Sequence, residues 1–280
     1  MNVDICNKIL KSKDKLVPAI FTQKQIELIE MYISKKILSN AQKTYLYSKI
    51  NKKIVALGFM SYEFYINNTN IIEKRVEDAK KILIDVGKRA FVSGSFLYSE
   101  LYGDIDIFVI SNRRKQYRCG KKQYICITES DLKKPMFASA FECSVANFRK
   151  SSFEVERKIS KLEDNLLAYQ IAINDILDKN EPKTLRYLIL EYNLIIKNKL
   201  LNSYELYNEY NTIKNEIVLV NNLIKKVLLN EYSNRYLYDV LVKFTKKLNK
   251  NIKKESANEN LKIYYDVLNE IKNESRKSKV

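Results

Sequence analysis

Glycine is distributed very unevenly along this chain of 280 residues. Four of its five glycines, Gly87, Gly94, Gly103 and Gly120, fall between residues 87 and 120, and none follows residue 120. Glycine permits the tight turns that connect strands, and it destabilises the interior of a helix. The segment around these glycines is therefore predicted to contain strands and turns, and the rest of the chain is predicted to be helical.

Two capping boxes mark helix starts before this segment. In TQKQ from Thr22 and in SNAQ from Ser39, a hydroxyl residue precedes a glutamine by three positions, so that each side chain can satisfy the other's backbone amide. They predict helices over 23–37 and 40–57. We interpret the two as an ordinary helical hairpin, and a DNA-reading helix-turn-helix is the alternative, since lysines lie on and near the second helix.

Apolar periodicity predicts further helices on both sides of the glycine segment. Residues 71–86 form an amphipathic pattern, and Pro182 marks a helix start in the region beyond residue 150, where four or five helices should pack as a bundle. The inward residues of the first of these helices are predicted to be Ile72, Val76, Ala79, Ile82, Leu83 and Val86. The fold class is thus α+β, with a helical region over 1–70, a core with a small mixed sheet over 71–150, and a helical bundle over 151–280.

The absence of histidine excludes several classes of chemistry. Ser-His-Asp hydrolysis, Cys-His chemistry and HExxH zinc proteolysis all require an imidazole. The four cysteines, Cys6, Cys119, Cys126 and Cys143, have no Cys-x-x-Cys spacing, so we expect reduced thiols and no structural zinc. Any reaction must use carboxylates, hydroxyls, lysines or a metal that they bind.

The chain carries a formal net charge of +17, which suits a polyanionic partner such as RNA, DNA or a nucleoside triphosphate. Biased codon usage can produce the same excess of lysine without any nucleic-acid role. No apolar run approaches the roughly 18–20 residues of a membrane span, and the first residues lack the apolar centre of a secretion signal. We expect a cytoplasmic protein without membrane association.

Two aspartates alternate with apolar residues in DIDIFVI, which begins at Asp104. Successive side chains of a strand point to opposite faces, so Asp104 and Asp106 share one face while Ile105 and Ile107 enter the core. Two neighbouring carboxylates repel, and a divalent cation between them removes the repulsion. Oxygen ligands without imidazole or thiolate favour Mg²⁺ or Mn²⁺.

A Gly-Ser pair precedes these aspartates. RAFVSG reads as a short buried strand, and SFLYSEL reads as one or two helical turns that begin after Gly94. The glycine allows close approach to the backbone, and the amides and hydroxyl of Ser95 can contact a phosphate there. The phosphate-binding turn and the aspartates are expected to meet at one end of the sheet.

The stretch FVSGSFLYSELYGDIDIFVI resembles the nucleotidyltransferase superfamily, which includes DNA polymerase β, the CCA-adding enzymes and minimal nucleotidyltransferases. The resemblance covers residues 90–110 and implies a small nucleotidyltransferase sheet. It implies that Asp104 and Asp106 bind the metal ions that bridge the phosphates, and that Ser93, Gly94 and Ser95 bind the nucleotide, ATP among the candidates. The implied reaction transfers a nucleoside monophosphate from a triphosphate to an acceptor hydroxyl on RNA, protein or a small molecule and releases pyrophosphate.

In that family a third carboxylate completes the site, and its identity here stays open. The strand after the aspartates, KQYICIT, contains no acid, and Gln123 stands where several relatives have one. Glu142, flanked by Phe141 and Cys143, is the preferred candidate as catalytic residue and metal ligand, Glu129 is the second, and a degenerate site is the third interpretation. A degenerate protein would bind RNA or a protein partner without catalysis, and a modifying partner of a toxin pair is a further alternative.

A basic segment, SNRRKQYRCGKKQY, follows the aspartates. It is predicted to form a hairpin that turns near Gly120, and Arg113 and Arg114 are expected to bind the nucleotide. Such a hairpin beside the site could hold the triphosphate or an RNA acceptor. A hairpin that is simply solvated is the alternative.

Overall fold

The computed structural model describes residues 1–149, 154–254 and 259–277. The chain is α+β, as predicted, with helices before and after a six-stranded mixed sheet. It divides into two compact units, of which the first contains 1–131 and 141–149 and the second contains 132–140 and the described residues from 154 onward. The predicted boundary at 150/151 lies outside the described residues, and the one at 70/71 stays a prediction.

The N-terminal helices pack around one apolar cluster in the first unit. They are α1 (Val3–Lys11), α2 (Lys13–Leu16), α3 (Gln23–Ile33), α4 (Asn40–Tyr45) and α5 (Asn51–Ser61), with a π-helical turn, Leu46–Ile50, between the last two. Both predicted capping boxes are present, at the starts of α3 and α4. Ile26, Ile29, Leu46, Ile50 and Ile54 are fully buried in the same cluster. Helix α3, which ends at Ile33 rather than at 37, and the helical stretch from α4 through α5 therefore pack on one core, although α4 itself buries no residue.

Helix α6 (Glu73–Val86) covers one face of the sheet. Val76, Ala79, Ile82 and Leu83 are buried, as the periodicity predicts, and they share a cluster with strand residues. The predicted inward residues Ile72 and Val86 lie at the two ends of the helix and are only partly buried. Gly87 ends the helix with a left-handed φ of 64°, which suits a residue without a side chain.

The sheet lies in the first unit. Its strands are β1 (Tyr65–Ile66), β2 (Ala90–Ser93), β3 (Ile105–Ile110), β4 (Lys115–Cys119), β5 (Lys122–Ile127) and β6 (Val145–Ala146), in the order β1-β6-β2-β3-β5-β4. Strands β3 and β5 are parallel, and the other neighbours are antiparallel. The predicted strands and the hairpin at Gly120 are confirmed. One helical turn, α7 (Ser95–Tyr98), connects β2 towards β3, and α8 (Pro135–Glu142) precedes β6.

The second unit contains the C-terminal helices. They are α9 (Leu162–Leu177), α10 (Leu185–Glu191), α11 (Ser203–Ile213), α12 (Ile217–Glu231), α13 (Asn234–Lys254) and α14 (Glu259–Lys277), with a π-helical turn, Tyr192–Ile196, after α10. They share one buried cluster, in which Tyr169, Tyr210 and Tyr264 are the largest side chains. The helical character of this region is confirmed, and the bundle contains more helices than the four or five predicted.

An acidic residue at the end of α12, Glu231, has a pKa far above its ordinary value. Glu231 is partly exposed, but its Oε1 atom is buried and has no hydrogen-bond partner among the described residues. Asn165 donates a hydrogen bond of 3.4 Å to Oε2. Burial and, secondly, the charge of Glu191 raise the pKa of Glu231 to about 8 from its ordinary 4.5. The folded state therefore favours the protonated carboxyl.

We expect Glu231→Gln to stabilise the protein at alkaline pH. Because the folded pKa lies above the unfolded value, the stabilisation by proton binding is complete below pH 4.5 and is lost as the pH rises through about 8. At pH 9 the variant should be more stable by about 1–2 kcal/mol, a small figure because the group is partly exposed. Urea unfolding at pH 5 and pH 9 checks this. The exposed Glu163→Gln, on α9, is the control, and an equal pH response in both variants would contradict the assignment.

Candidate functional site

The site predicted from the sequence lies in a row across β2, β3 and β5. Ser93 on β2 is the Cα partner of Asp106 on β3, and Asp106 is also the partner of Gln123 on β5. Residues paired across neighbouring strands project from the same face of a sheet. Arg118 on β4 pairs with Gln123 and extends the row to the edge of the sheet. The Gly-Ser turn and the aspartates are therefore adjacent, as the sequence predicts.

Gly94 connects β2 to α7 and faces Asp106 directly. Its backbone has a φ of 89° and a ψ of −178°, a conformation that is essentially restricted to glycine. A Cβ atom built on Gly94 would lie 2.7 Å from the Oδ2 atom of Asp106. The turn thus needs a glycine for two independent reasons: its backbone angles and its contact with the carboxylate.

The two aspartates stand at the start of β3. Asp104 directly precedes the strand, and the backbone amide of Ile105 donates a hydrogen bond of 2.8 Å to the carbonyl of Lys121. Ile105 and Ile107 are buried on the opposite face, whereas both aspartates are partly exposed. The predicted alternation holds, and Asp104 and Asp106 are directed to one face of the sheet.

An aromatic cluster on this face brings Glu142 towards the row. Phe108 on β3 stacks on Phe91 of β2 with ring centroids 4.6 Å apart, and Phe141 packs edge-on against Phe91 at 5.0 Å. On the other side of Glu142, the carbonyl of Cys143 accepts a hydrogen bond of 2.9 Å from the Ser93 hydroxyl. Both neighbours of Glu142 in the chain therefore contact β2 close to Asp106.

The same hydrogen bond changes the interpretation of Ser93. The side chain of Ser93 is buried, at 1% exposure, and its hydroxyl already donates a hydrogen bond to the carbonyl of Cys143. We therefore assign Ser93 a structural position in the wall of the site and correct the prediction that it binds the nucleotide. Gly94 and the partly exposed Ser95 remain the predicted nucleotide-binding residues of this turn. The sequence placed Ser93 next to the Gly-Ser pair but did not reveal the segment that covers it.

The position of Glu129 excludes it as a partner of the aspartates. It follows the far end of β5, which extends about 13 Å beyond Gln123 at roughly 3.3 Å per residue. There its carboxylate accepts two hydrogen bonds from Arg89, of 3.0 and 3.2 Å. Of the two acids considered from the sequence, only Glu142 lies next to residues that contact β2 beside Asp106.

Arg113 and Arg114 are also located away from Asp106. Both lie between the end of β3 and the start of β4, and β3 runs from Asp106 to its other end at Ile110. The prediction that they bind a nucleotide at Asp106 is therefore corrected. The hairpin returns to the aspartates only at its turn, where Arg118, Lys121 and Lys122 lie.

Arg114 instead binds a buried carboxylate that the sequence did not single out. Its guanidinium donates hydrogen bonds of 2.5 and 3.0 Å to Asp131, which is 0% exposed. Asp131 also accepts from the backbone amide and the hydroxyl of Thr128, at 2.9 and 2.8 Å. Hydrogen bonding to Asp131 raises the pKa of Arg114. This network fixes the turn after β5, and a TxxD spacing alone is too common in turns to predict it.

Two cations flank an aromatic ring just before Asp104: Lys121 belongs to the predicted basic hairpin, whereas Arg75 was not expected near the site. Arg75 on α6 lies 4.5 Å from the centroid of the Tyr102 ring, and Lys121 lies 5.4 Å from it. Phe96 of α7 packs edge-on against the same ring at 5.2 Å. Periodicity assigned Arg75 only to the polar side of a helix, because no local pattern connects it with a loop 27 residues later.

Asp104 and Asp106 are the residues that could hold a divalent cation. Among the residues that the structure describes, no three His, Cys, Asp or Glu side chains are grouped closely enough to bind a metal. The side chains of Asp104, Asp106 and Glu142 therefore do not form a complete three-ligand metal site without additional ligands. Mg²⁺ commonly binds through one or two carboxylates together with substrate phosphates and water. The donor set fits that mode, and Glu142 as a third ligand stays a prediction.

No protein-family model matches the chain, and neither a curated protein nor a solved structure matches it. Within the described part of the chain, every helix is too short or too polar to cross a membrane. The functional interpretation therefore rests on the residues and geometry of the site.

Proposed function

We propose that this protein is a metal-dependent nucleotidyltransferase. It transfers a nucleoside monophosphate from a nucleoside triphosphate to an acceptor hydroxyl and releases pyrophosphate. The observation that carries this proposal is the contact of Gly94 with Asp106, a glycine-only turn that faces the second aspartate of an Asp-x-Asp strand across paired strands. The resemblance of residues 90–110 to the nucleotidyltransferase superfamily supports the same function.

The proposed chemistry divides between the two aspartates and the turn. Asp104 and Asp106 would hold Mg²⁺ or Mn²⁺ together with the triphosphate, and such an ion would supply positive charge that neutralises the phosphates. Because Gly94 has no side chain, the Asp106 carboxylate can lie against the turn, whose backbone amides are proposed to contact the phosphates. The acceptor oxygen bonds to the α-phosphorus, the bond from that phosphorus to pyrophosphate breaks, and Glu142 is proposed to accept the proton of the acceptor hydroxyl.

Gln123 supports a second candidate function. This neutral amide is the Cα partner of Asp106 on the parallel strand β5, where a third acid would share the face of the two aspartates. A protein of this kind would bind nucleotide and RNA or a protein partner without turnover. Nucleotide binding without any labelled product would favour this candidate over the transferase.

The transferase is tested by a transfer screen. Each of the four nucleoside triphosphates, labelled at the α-phosphate, is incubated with the protein, Mg²⁺ and cell extract, and then with the separated RNA, protein and small-molecule fractions. We expect label to become covalently attached to a component of one fraction. Asp104→Asn/Asp106→Asn is the matched control, and label transfer that persists in it would refute the assignment of the site.

Metal binding should depend on the nucleotide. Because the described residues form no three-ligand group, we expect Mn²⁺ alone to bind weakly, and a non-hydrolysable triphosphate to tighten its binding by at least about tenfold. Electron paramagnetic resonance of Mn²⁺ measures this, with binding to the free nucleotide subtracted. Equally tight Mn²⁺ binding without nucleotide would show that the protein itself supplies a full metal site.

A further inference from the structure

The β4–β5 hairpin presents a surface of tyrosines and cations on the face opposite Asp106. Tyr117 pairs with Tyr124, and Tyr124 pairs with the buried Ile107, so these side chains point away from the aspartates. The two tyrosine rings stack in parallel, with centroids 4.8 Å apart and planes at 5°. Tyr117 is 45% exposed, and every residue of β4 is exposed.

Lysines lie on the same face as these rings and beside them in the turn. The Nζ atom of Lys115 lies 5.6 Å from the centroid of Tyr117, and Lys122 shares their face through its pairing with Cys119. Lys121, next along the turn, contacts Tyr102. We call these residues the hairpin surface: Tyr102, Lys115, Tyr117, Lys121, Lys122 and Tyr124.

Acids balance the charge of this surface only weakly: Asp85 of α6 lies near Tyr124, where burial first and then nearby groups including Asp85 raise the pKa of the tyrosine. The sequence has no Asp or Glu between Asp106 and Glu129. Arg114 is neutralised by Asp131, but in the described part of the chain none of the three lysines of the hairpin surface forms an ion pair. β4 is an edge strand, and one or two charged residues are enough to protect an edge strand from aggregation. That protective role does not explain the stacked tyrosines.

We infer that the hairpin surface binds single-stranded nucleic acid. Planar bases stack on exposed aromatic rings, and lysines beside the rings contact the phosphates. An acidic peptide would satisfy the lysines but would not use the stacked rings. Because Lys115, Tyr117, Lys122 and Tyr124 lie on the face opposite Asp106, binding to them goes beyond the proposed transfer reaction and does not depend on it.

The test is fluorescence anisotropy with a 12-nucleotide single-stranded RNA and the DNA of the same sequence. We expect the RNA and the DNA to bind with similar affinity, because neither the tyrosine rings nor the lysines contact the 2′-hydroxyl that distinguishes them. Tyr117→Ala should weaken binding by about tenfold, since stacking on an aromatic ring contributes strongly for each base, while Tyr117→Phe should stay within about twofold of wild type. Lys115→Ala/Lys122→Ala should lower the slope of log affinity against log salt by about 1.4, that is, two phosphate contacts on a single strand.

Matched controls separate this surface from the general positive charge. Tyr236→Ala removes a tyrosine of similar exposure, 46%, and Lys11→Ala/Lys24→Ala removes two exposed lysines; both should leave binding unchanged. Tyr117→Ala should not affect binding of inorganic polyphosphate, which has no bases. Unchanged RNA binding in folded Tyr117→Ala, or equal losses in the control variants, would overturn the inference. Asp106→Asn should bind RNA normally, so failure of transfer and failure of this surface are distinguishable.

Discussion

Asp106→Asn is expected to lower nucleotide transfer at least about a thousandfold, which corresponds to roughly 4 kcal/mol of transition-state stabilisation. The amide has nearly the same size as the carboxylate but carries no charge to hold a divalent cation beside the phosphates. Asp106 is the residue between Ser93 and Gln123 in the row across the sheet, and Gly94 faces it. The measurement is the initial rate of α-label transfer at saturating nucleotide and Mg²⁺.

The stability of this variant provides the control. Asp106 is partly exposed and lies on the same face as Asp104, so loss of its charge also relieves repulsion between like charges. We expect the fold to be retained, with a melting temperature within about 5 °C of wild type. A variant that keeps both its fold and its full transfer rate would remove Asp106 from the proposed mechanism.

Gly94→Ala is expected to damage both stability and transfer. The φ of 89° at this position disfavours any side chain, which costs about 1–3 kcal/mol, and the new Cβ would stand 2.7 Å from the Oδ2 atom of Asp106. The carboxylate or the turn must therefore shift. A displacement of about 1 Å at a reacting centre can lower a rate by about a hundredfold. Urea unfolding and transfer rates measure the two effects.

Two other glycines separate the causes of this effect. Gly120 also has a positive φ, of 60°, but a Cβ there would meet no atom within 4 Å, so Gly120→Ala tests backbone strain alone. Gly103 has neither a positive φ nor a neighbour within 4 Å, and Gly103→Ala should be close to neutral. If Gly94→Ala lost no more transfer activity than Gly120→Ala, the contact with Asp106 would not be important.

Local sequence patterns were sufficient to predict that the Gly-Ser turn and the aspartates meet at one end of the sheet. The strand of Ser93 is apolar up to that serine, and the strand of Asp106 begins with alternating acidic and apolar residues. The Gly-Ser pair lies on the short connection between the two strands, and strands joined by a short connection usually pair. Both capping boxes could be predicted for the same reason, since each joins residues only three positions apart. Strands β1 and β6, of two residues each, are too short to show any period.

The wrong predictions concern residues whose distance from Asp106 depends on the direction in which a strand runs. Arg113 and Arg114 follow Asp106 closely in sequence, but β3 carries the chain to the other end of the sheet before they occur. Glu129 is separated from the aspartates by β5 for the same reason. The environment of Glu142 depends on contacts of its neighbours with Phe91 and Ser93, about 50 residues earlier, which no local pattern encodes.

The fate of the nucleotide phosphates tests the central claim most directly. The protein is incubated with Mg²⁺, acceptor extract and a nucleoside triphosphate that carries one label at the α-phosphate and a different label at the γ-phosphate. The proposed reaction predicts that the α-label becomes attached to the acceptor, that the γ-label is released as pyrophosphate, and that both events stop in Asp104→Asn/Asp106→Asn. Transfer of the γ-label to an acceptor, or α-label transfer that persists in the double variant, would contradict it.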